Sequence, residues 1–412
     1  MNGNVFFTLE SLTTERLSWL VELLKYYSTR LYPDSLHHHP RTLTPPFTFF
    51  LLGDACYSLI RRQHVHFWEI LFRLPCFQCI FEPMDLCMRR ISIEPFRMRF
   101  PDQIIPVAPG DDTSGRSLWD CLLDVPGTPP GTSSIGFLLM HSPYMYHSAS
   151  GVVDLFRTAV RRGISPELYG YLDGVHAMHR DQRPINYKNI GKSLLYVYNS
   201  AVKAGLSPLY LLCPESAACR GYSTFTGENG KVISASLIPH ARIRSLHHIA
   251  SRFTRGHRIL SHTSFSLDVV AHRRIPRIGV FPKGKKPSLV ILATHSPYGT
   301  EFTKGAITLA VACAHQDIFT RVVFIEDGIY TLTGQHSPEG MWQGCDLQSI
   351  IETTSRIDNL EYFAYTPSSQ ARGIAGYALM KGVCPVSPAE FSQVLLLPPA
   401  GLEVDHQRVL VF

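Results

Sequence analysis

The sequence predicts an α/β protein of three tandem units, each a mainly parallel sheet with helices on both faces. Three observations predict it. Apolar runs of strand length alternate with stretches of helical periodicity. The tetrapeptide His-Ser-Pro-Tyr ends an apolar run twice, at 141–144 and at 295–298. The spacing after it also repeats: Gly151 and Gly305 follow their histidines by ten residues, Asp173 and Asp327 by thirty-two.

In chain order, residues 1–107 form a divergent first unit. An opening strand at 5–11 leads to helical spacing over 13–27, with Thr13 or Thr14 as N-cap. A second strand at 47–52 ends in Gly53-Asp54-Ala55-Cys56-Tyr57, where Asp54 and Tyr57 match Asp327 and Tyr330. Residues 77–91 read as a strand running into a helix, and 103–107 as a closing strand. A linker at 108–134, rich in Pro, Gly, Asp and Ser, holds a short helix near 118–123.

The middle unit, 135–263, repeats the plan. Its strand at 209–212 ends at Cys213, Pro214 follows at once, and small residues then read as a helix start. A short strand at 257–261 closes it. Residues 264–286, with Arg273-Arg274 and Lys283-Gly-Lys-Lys286, read as a solvated basic connector. In the last unit, 287–412, laying Arg372-Gly373 on Arg220-Gly221 puts Tyr365 on Cys213; laying Arg89 there puts Glu82 on it. The strand 407–412 closes the chain. Both glycines of the spacing repeat precede helical patterns.

Composition bounds the function. A hydrophobic fraction of 45% against 17% charged residues describes a chain that buries cores, not a disordered one. The net charge of +6 is mild and scattered, so nothing in it points to nucleic acid. No apolar run is long enough to span a membrane, and the N-terminus lacks the pattern of a signal peptide. Ten cysteines are too sparse for a disulfide scaffold, so reduced thiols in a cytoplasm are expected. No Walker sequence, Gly-x-Gly-x-x-Gly or Gly-x-Ser-x-Gly is present.

Chemistry is expected at the strand-to-helix elbow. A thiol at Cys213 would be exposed and acidified by unpaired N–H groups and the helix dipole; the alternative is a buried cysteine acting as a small apolar residue. Cys219, six residues on, is either a disulfide partner or a packing residue under the elbow. His176, where the other units have tyrosine, is the expected neighbour of Cys213. Asp173 recurs as Asp54 and Asp327, which favours a shared structural job such as an Asx turn. Arg220 recurs as Arg89 and Arg372 and would orient the elbow helix. His141 recurs as His295 where no cysteine stands, so it reads as part of a turn fixed by Ser-Pro.

These residues resemble a known family. The run Tyr169-Gly-Tyr-Leu-Asp-Gly-Val-His176, the elbow from Cys213 to Arg220-Gly221, and the tail at 236–246 look like DsrE, also called TusD. His295-Ser-Pro-Tyr-Gly-Thr, the run at 324–332 and the C-terminal Arg-Val-Leu-Val-Phe look like DsrF, or TusC. The first unit stands as a divergent counterpart of DsrH, or TusB. The resemblance implies a sulfurtransferase-type carrier. Persulfide sulfur from an upstream donor would be held on Cys213 and passed to an acceptor protein of the DsrC or TusE type. It would serve tRNA 2-thiouridine synthesis or dissimilatory sulfur metabolism. No metal, organic cofactor, direct nucleic-acid contact or membrane is implied. The family assembles as a heterohexamer of three subunit types, so a three-unit chain would reach that count as a homodimer. The rival readings are a thiol redox protein using Cys213 and Cys219, and a non-catalytic binding scaffold.

Overall fold

A computed structural model describes residues 4–31, 47–108, 115–125, 134–145, 148–226, 231–234, 236–255, 257–269, 284–333, 336, 346–374, 379–398, 402–404 and 406–412. The basic pair Arg273-Arg274 lies outside them. The chain is mixed α/β, with mainly parallel sheets flanked by helices. The first strands are β1 (Asn4–Thr8), β2 (Phe47–Leu51), β3 (Phe77–Phe81) and β4 (Ile104–Ile105). The middle stretch supplies β5 (Ser134–Leu139), β6 (Ser165–Gly170), β7 (Leu209–Leu212), the hairpin β8 (Ser223–Thr226) and β9 (Lys231–Ser234), β10 (Ala241–Ile243) and β11 (Ile259–Leu260). There follow β12 (Thr263–Asp268), β13 (Gly284–Lys285), β14 (Ser288–Ala293), β15 (Phe319–Phe324), β16 (Leu360–Tyr365), β17 (Val383–Val386), β18 (Leu402–Glu403) and β19 (His406–Val411).

One strand order recurs. The middle sheet runs β10-β7-β6-β5-β11, and the last five strands run β17-β16-β15-β14-β19, all parallel. The first group runs β4-β3-β2-β1, and its fifth place is taken by β12. The expectation for this region is therefore corrected twice. The strand near 103–107 pairs with β3 at the far edge, so it is the counterpart of β10 and β17 and not a closing strand. The expected connector at 264–286 opens with a sheet strand. β12 lies antiparallel between β1 and β19 and joins the first and last groups into one ten-stranded sheet.

Three large cores fill the spaces between the groups. Side chains alternate across a strand, so neighbours along each central strand enter different cores. Phe6 lies in one core with Val290, Leu292 and Val409 of the last group, while Val5 and Phe7 share another with Phe137 and Leu139 of the middle one. Leu138 shares the third with Leu289, Ile291 and Leu410. Each pair of groups thus shares a core. This is why the central strands read as continuous apolar runs: both of their faces are buried.

The interior also carries charge. Glu167 accepts from Arg252 and from the Tyr169 hydroxyl, with His257 Nε2 3.3 Å from that hydroxyl. Burial, together with Arg408 and Arg252, pulls the His257 imidazole down to about 4 although Glu167 pulls the other way. The native state refuses a proton that the unfolded chain accepts below 6.5. Stability is therefore expected to fall as pH drops from about 6.5 to about 4, by up to about 3 kcal/mol from this group. Urea unfolding across that range tests it: His257→Gln should show a shallower slope, and an equally steep one refutes the assignment.

Candidate functional site

The elbow forms as the sequence predicts. Cys213 leaves β7 in an extended conformation, its N–H bonded to Gly170 O at 3.0 Å, and caps the helix Pro214–Cys219 with Pro214 in the first turn. Exposure and acidity differ from expectation. Cys213 is 2% exposed and packs in the core shared with the last group. Burial pushes its thiol up; the backbone and hydroxyl of Ser216 and the backbone of Glu215 pull it down, but less strongly. The helix start lies at the sulfur, but no side-chain cap bond forms to it, and packing in the core shared with the last group keeps solvent away.

A fixed frame holds the elbow, and it is built three times. The residue before each recurrent aspartate has a left-handed backbone: Gly53 at φ 53°, Leu172 at 50° and Glu326 at 52°. Its N–H donates to a side chain on the elbow helix: to Asp85 Oδ2 at 2.7 Å, Ser216 Oγ at 2.9 Å and Ser368 Oγ at 3.0 Å. The aspartate then accepts from the elbow arginine, Arg220 to Asp173 at 2.7 Å, Arg372 to Asp327 at 3.0 Å and Arg89 to Asp54 at 2.9 Å. The job shared by the aspartates is thus an ion pair across the elbow rather than an Asx turn. Arg220 also reaches Ser216 O at 3.4 Å, bracing the helix. Ser216 was missed in the sequence, although a polar residue three places after the elbow position recurs at all three elbows.

The turn after the frame is tight. A Cβ on Gly174 would lie 1.8 Å from Leu139 O, and one on Gly328 2.0 Å from Ala293 O. Backbone cannot yield as a flexible side chain can. Gly174→Ala is expected to lose about 3 kcal/mol, at the upper end of overpacking costs. A urea midpoint within error of the wild type would contradict the geometry.

Above the elbow lies a shallow cleft that opens to solvent. Leu172, Glu215, Ser216, Cys219 and Arg220 line one wall; Glu301, Lys304, Gly305 and Thr308 line the other. Arg220 Nη2 donates to Glu301 at 2.6 Å, and Lys304 to Glu215 at 2.9 Å. Burial opposes the Arg220 charge, but Glu301 and Asp173 outweigh it and hold the guanidinium protonated. Gly305 lies inside its helix, not before it, and a Cβ there would press on Leu172 at 3.1 Å. Gly151 likewise lies within the helix Ser148–Arg161.

The other predicted residues scatter. Cys219 is exposed on the cleft wall rather than packed beneath the elbow, and the described cysteines are all free thiols. His176 is not the neighbour of Cys213. Its Nδ1 lies 2.6 Å from the Tyr222 hydroxyl and its Nε2 3.9 Å from Asp173, and burial lowers its imidazole. His141 sits away from the elbow, 2.6 Å from Glu10, with its ring against Phe302, which also stacks on His295.

The wall facing the elbow belongs to the best-matched part of the chain. Residues 288–396 match the DsrE/DsrF-like family. A sulfur-relay role is consistent with a DsrE/DsrF-like segment. That segment contributes Glu301, Lys304, Gly305 and Thr308 to the cleft, and its own elbow carries Tyr365 in place of a cysteine. No curated protein matches the chain. Among solved structures, the crystal structure of the ychN protein from E. coli is 23% identical, over 31% of this chain and 100% of that one, with a TM-score of 0.26. That score is too low to bear on fold or function. Among the described residues, no helix is long and apolar enough to cross a membrane.

Proposed function

We propose that the chain is a sulfur carrier that holds sulfane sulfur on Cys213. The observation that carries this reading is the placement of Cys213 as the N-cap of the elbow helix, one turn from Ser216 and beside a solvent-open cleft. The Cys213 thiolate attacks the terminal sulfur of a donor persulfide. One S–S bond forms, the donor's S–S bond breaks, and the donor thiolate leaves. Delivery repeats the exchange: an acceptor thiolate takes the terminal sulfur and Cys213 leaves as thiolate, with no net oxidation. Burial of the sulfur would shield the persulfide from stray thiols between the two steps, and loading requires the Leu172–Ser216 side of the cleft to yield. An acceptor of the DsrC or TusE type fits this role, in tRNA thiolation or in dissimilatory sulfur metabolism. Cys213 stands outside the DsrE/DsrF-like segment, so its role rests on the elbow alone.

A second reading has an observation of its own. A thiol that is 2% exposed and pushed up by burial suits a binding scaffold with an inert cysteine. Mass spectrometry of tryptic peptides after treatment with a low-molecular-weight persulfide separates the two. A gain of one sulfur on the Cys213 peptide supports the carrier. An unmodified Cys213 supports the scaffold, and a Cys213–Cys219 disulfide supports a redox protein.

A further inference from the structure

The ends of β1, β5 and β11 converge on a second cluster of side chains, away from the elbow. Glu10 follows β1, His141 follows β5, and His262 stands between β11 and β12. One ligand atom from each lies within 4.8 Å of the others. His141 Nε2 is 2.6 Å from Glu10 Oε1, and the two imidazole rings meet edge to face at 4.3 Å between centroids.

His262 is the unusual member. It is completely buried, yet neither Nδ1 nor Nε2 has a hydrogen-bond partner. Its backbone is fixed, since His262 O accepts from Leu9 N at 2.8 Å. A neutral imidazole presents one donor and one acceptor, and buried polar atoms of folded proteins are almost always satisfied. The ring therefore needs a partner that is not a protein side chain, in a space bounded by a second imidazole and a carboxylate.

We propose that Glu10, His141 and His262 bind a divalent transition-metal ion of the Zn²⁺ type. Two imidazoles and one carboxylate are a ligand set that zinc accepts, with a fourth position left for water. Calcium and magnesium call for more oxygen ligands than the cluster offers. The hydrogen bond between His141 and Glu10 opens to admit the ion. Thr263 Oγ1, 3.3 Å from Glu10 Oε2, then steadies the carboxylate from outside. Arg16 Nη1 lies 3.6 Å from the same oxygen and opposes a cation, but its Nε and Nη2 are committed to Glu326. An ion reaches the site from the Glu10 side, where that side chain keeps 18% of its surface. The inference departs from the expectation, drawn from sequence, of a chain without metal. It is independent of the reading of Cys213.

The test uses the full chain stripped with a chelator and dialysed against Zn²⁺ or Co²⁺. Wild type should retain one ion that His262→Gln and the partly exposed Glu10→Gln each lose, with far-UV circular dichroism unchanged. Bound Co²⁺ should give a tetrahedral ligand-field spectrum free of thiolate charge transfer, and Zn²⁺ should raise the Tm of wild type but not of Glu10→Gln. Retention of no ion, or of the same ion in wild type and both variants, overturns the proposal. The latter result would place the metal on other histidines or thiols.

Discussion

Cys213→Ser should abolish persulfide loading and sulfur delivery outright while leaving the fold unchanged. Serine fills nearly the same volume at a site whose backbone is pinned from both sides, by the bond to Gly170 O and by Ala217 N donating to Cys213 O at 2.9 Å. A serine hydroxyl is not ionised near neutrality and does not attack the donor's terminal sulfur, so the exchange has no first step. The comparison must include Cys219→Ser, because Cys219 is the exposed thiol on the same cleft. If sulfur delivery follows Cys213, loading survives Cys219→Ser and capture of an acceptor protein as a mixed species fails only with Cys213→Ser. Loading that persists in Cys213→Ser and vanishes in Cys219→Ser would transfer the role to the outer thiol. Ser216→Ala is the informative intermediate: it deletes the acceptor for Leu172 N that ties the elbow to the frame, and should slow loading without stopping it.

The largest stability effect is expected at Glu326. Its carboxylate takes Arg16 Nε and Nη2 at 3.2 Å each, and the Thr13 hydroxyl at 2.8 Å. Both partners are nearly buried, with side chains 6% and 11% exposed. Burial works against the Arg16 charge, and Glu326 and Glu10 more than restore it. Glu326→Ala would strand the guanidinium with Glu10 alone, at a cost of roughly 3–5 kcal/mol. The cost would fall on the junction of the first and last groups, because the pair joins the helix Thr14–Tyr26 to the turn after β15. Replacing Arg16 and Glu326 together by methionine should recover much of the loss, since neither charge of the pair remains and Glu10 keeps His141 as its partner. Urea denaturation of the two singles and the double measures the coupling. A loss under about 1 kcal/mol for Glu326→Ala would mean the pair behaves as a surface salt bridge.

Local pattern made the architecture legible. Strand-length apolar runs, the two His-Ser-Pro-Tyr ends and the recurring arginines located the sheets' C-terminal ends and all three elbows. β12 was misread although its signal is present: Phe265 and Leu267 alternate with polar residues and point into one core. Its position after an apparent closing strand hid it, and nothing local announces an antiparallel return to β1. The burial of Cys213 was also illegible, because the helix Phe302–Ala314 that helps cover it starts almost ninety residues later. Glu10 and His262 are separated by most of the chain and belong to no motif; only the folded arrangement brings them together. Those misses share one cause, which is contact between segments far apart in the chain.

The path of β12 bears on how the chain is assembled during synthesis. When the first hundred residues emerge from the ribosome, β1 has only one partner, and its other edge stays unpaired until residues 263–268 are made. β12 in turn waits for β19, at residues 406–411. The nascent protein therefore carries an open strand edge, first on β1 and then on β12, until those residues are made, of the kind that invites pairing with another chain. Shielding of that edge would be needed until then.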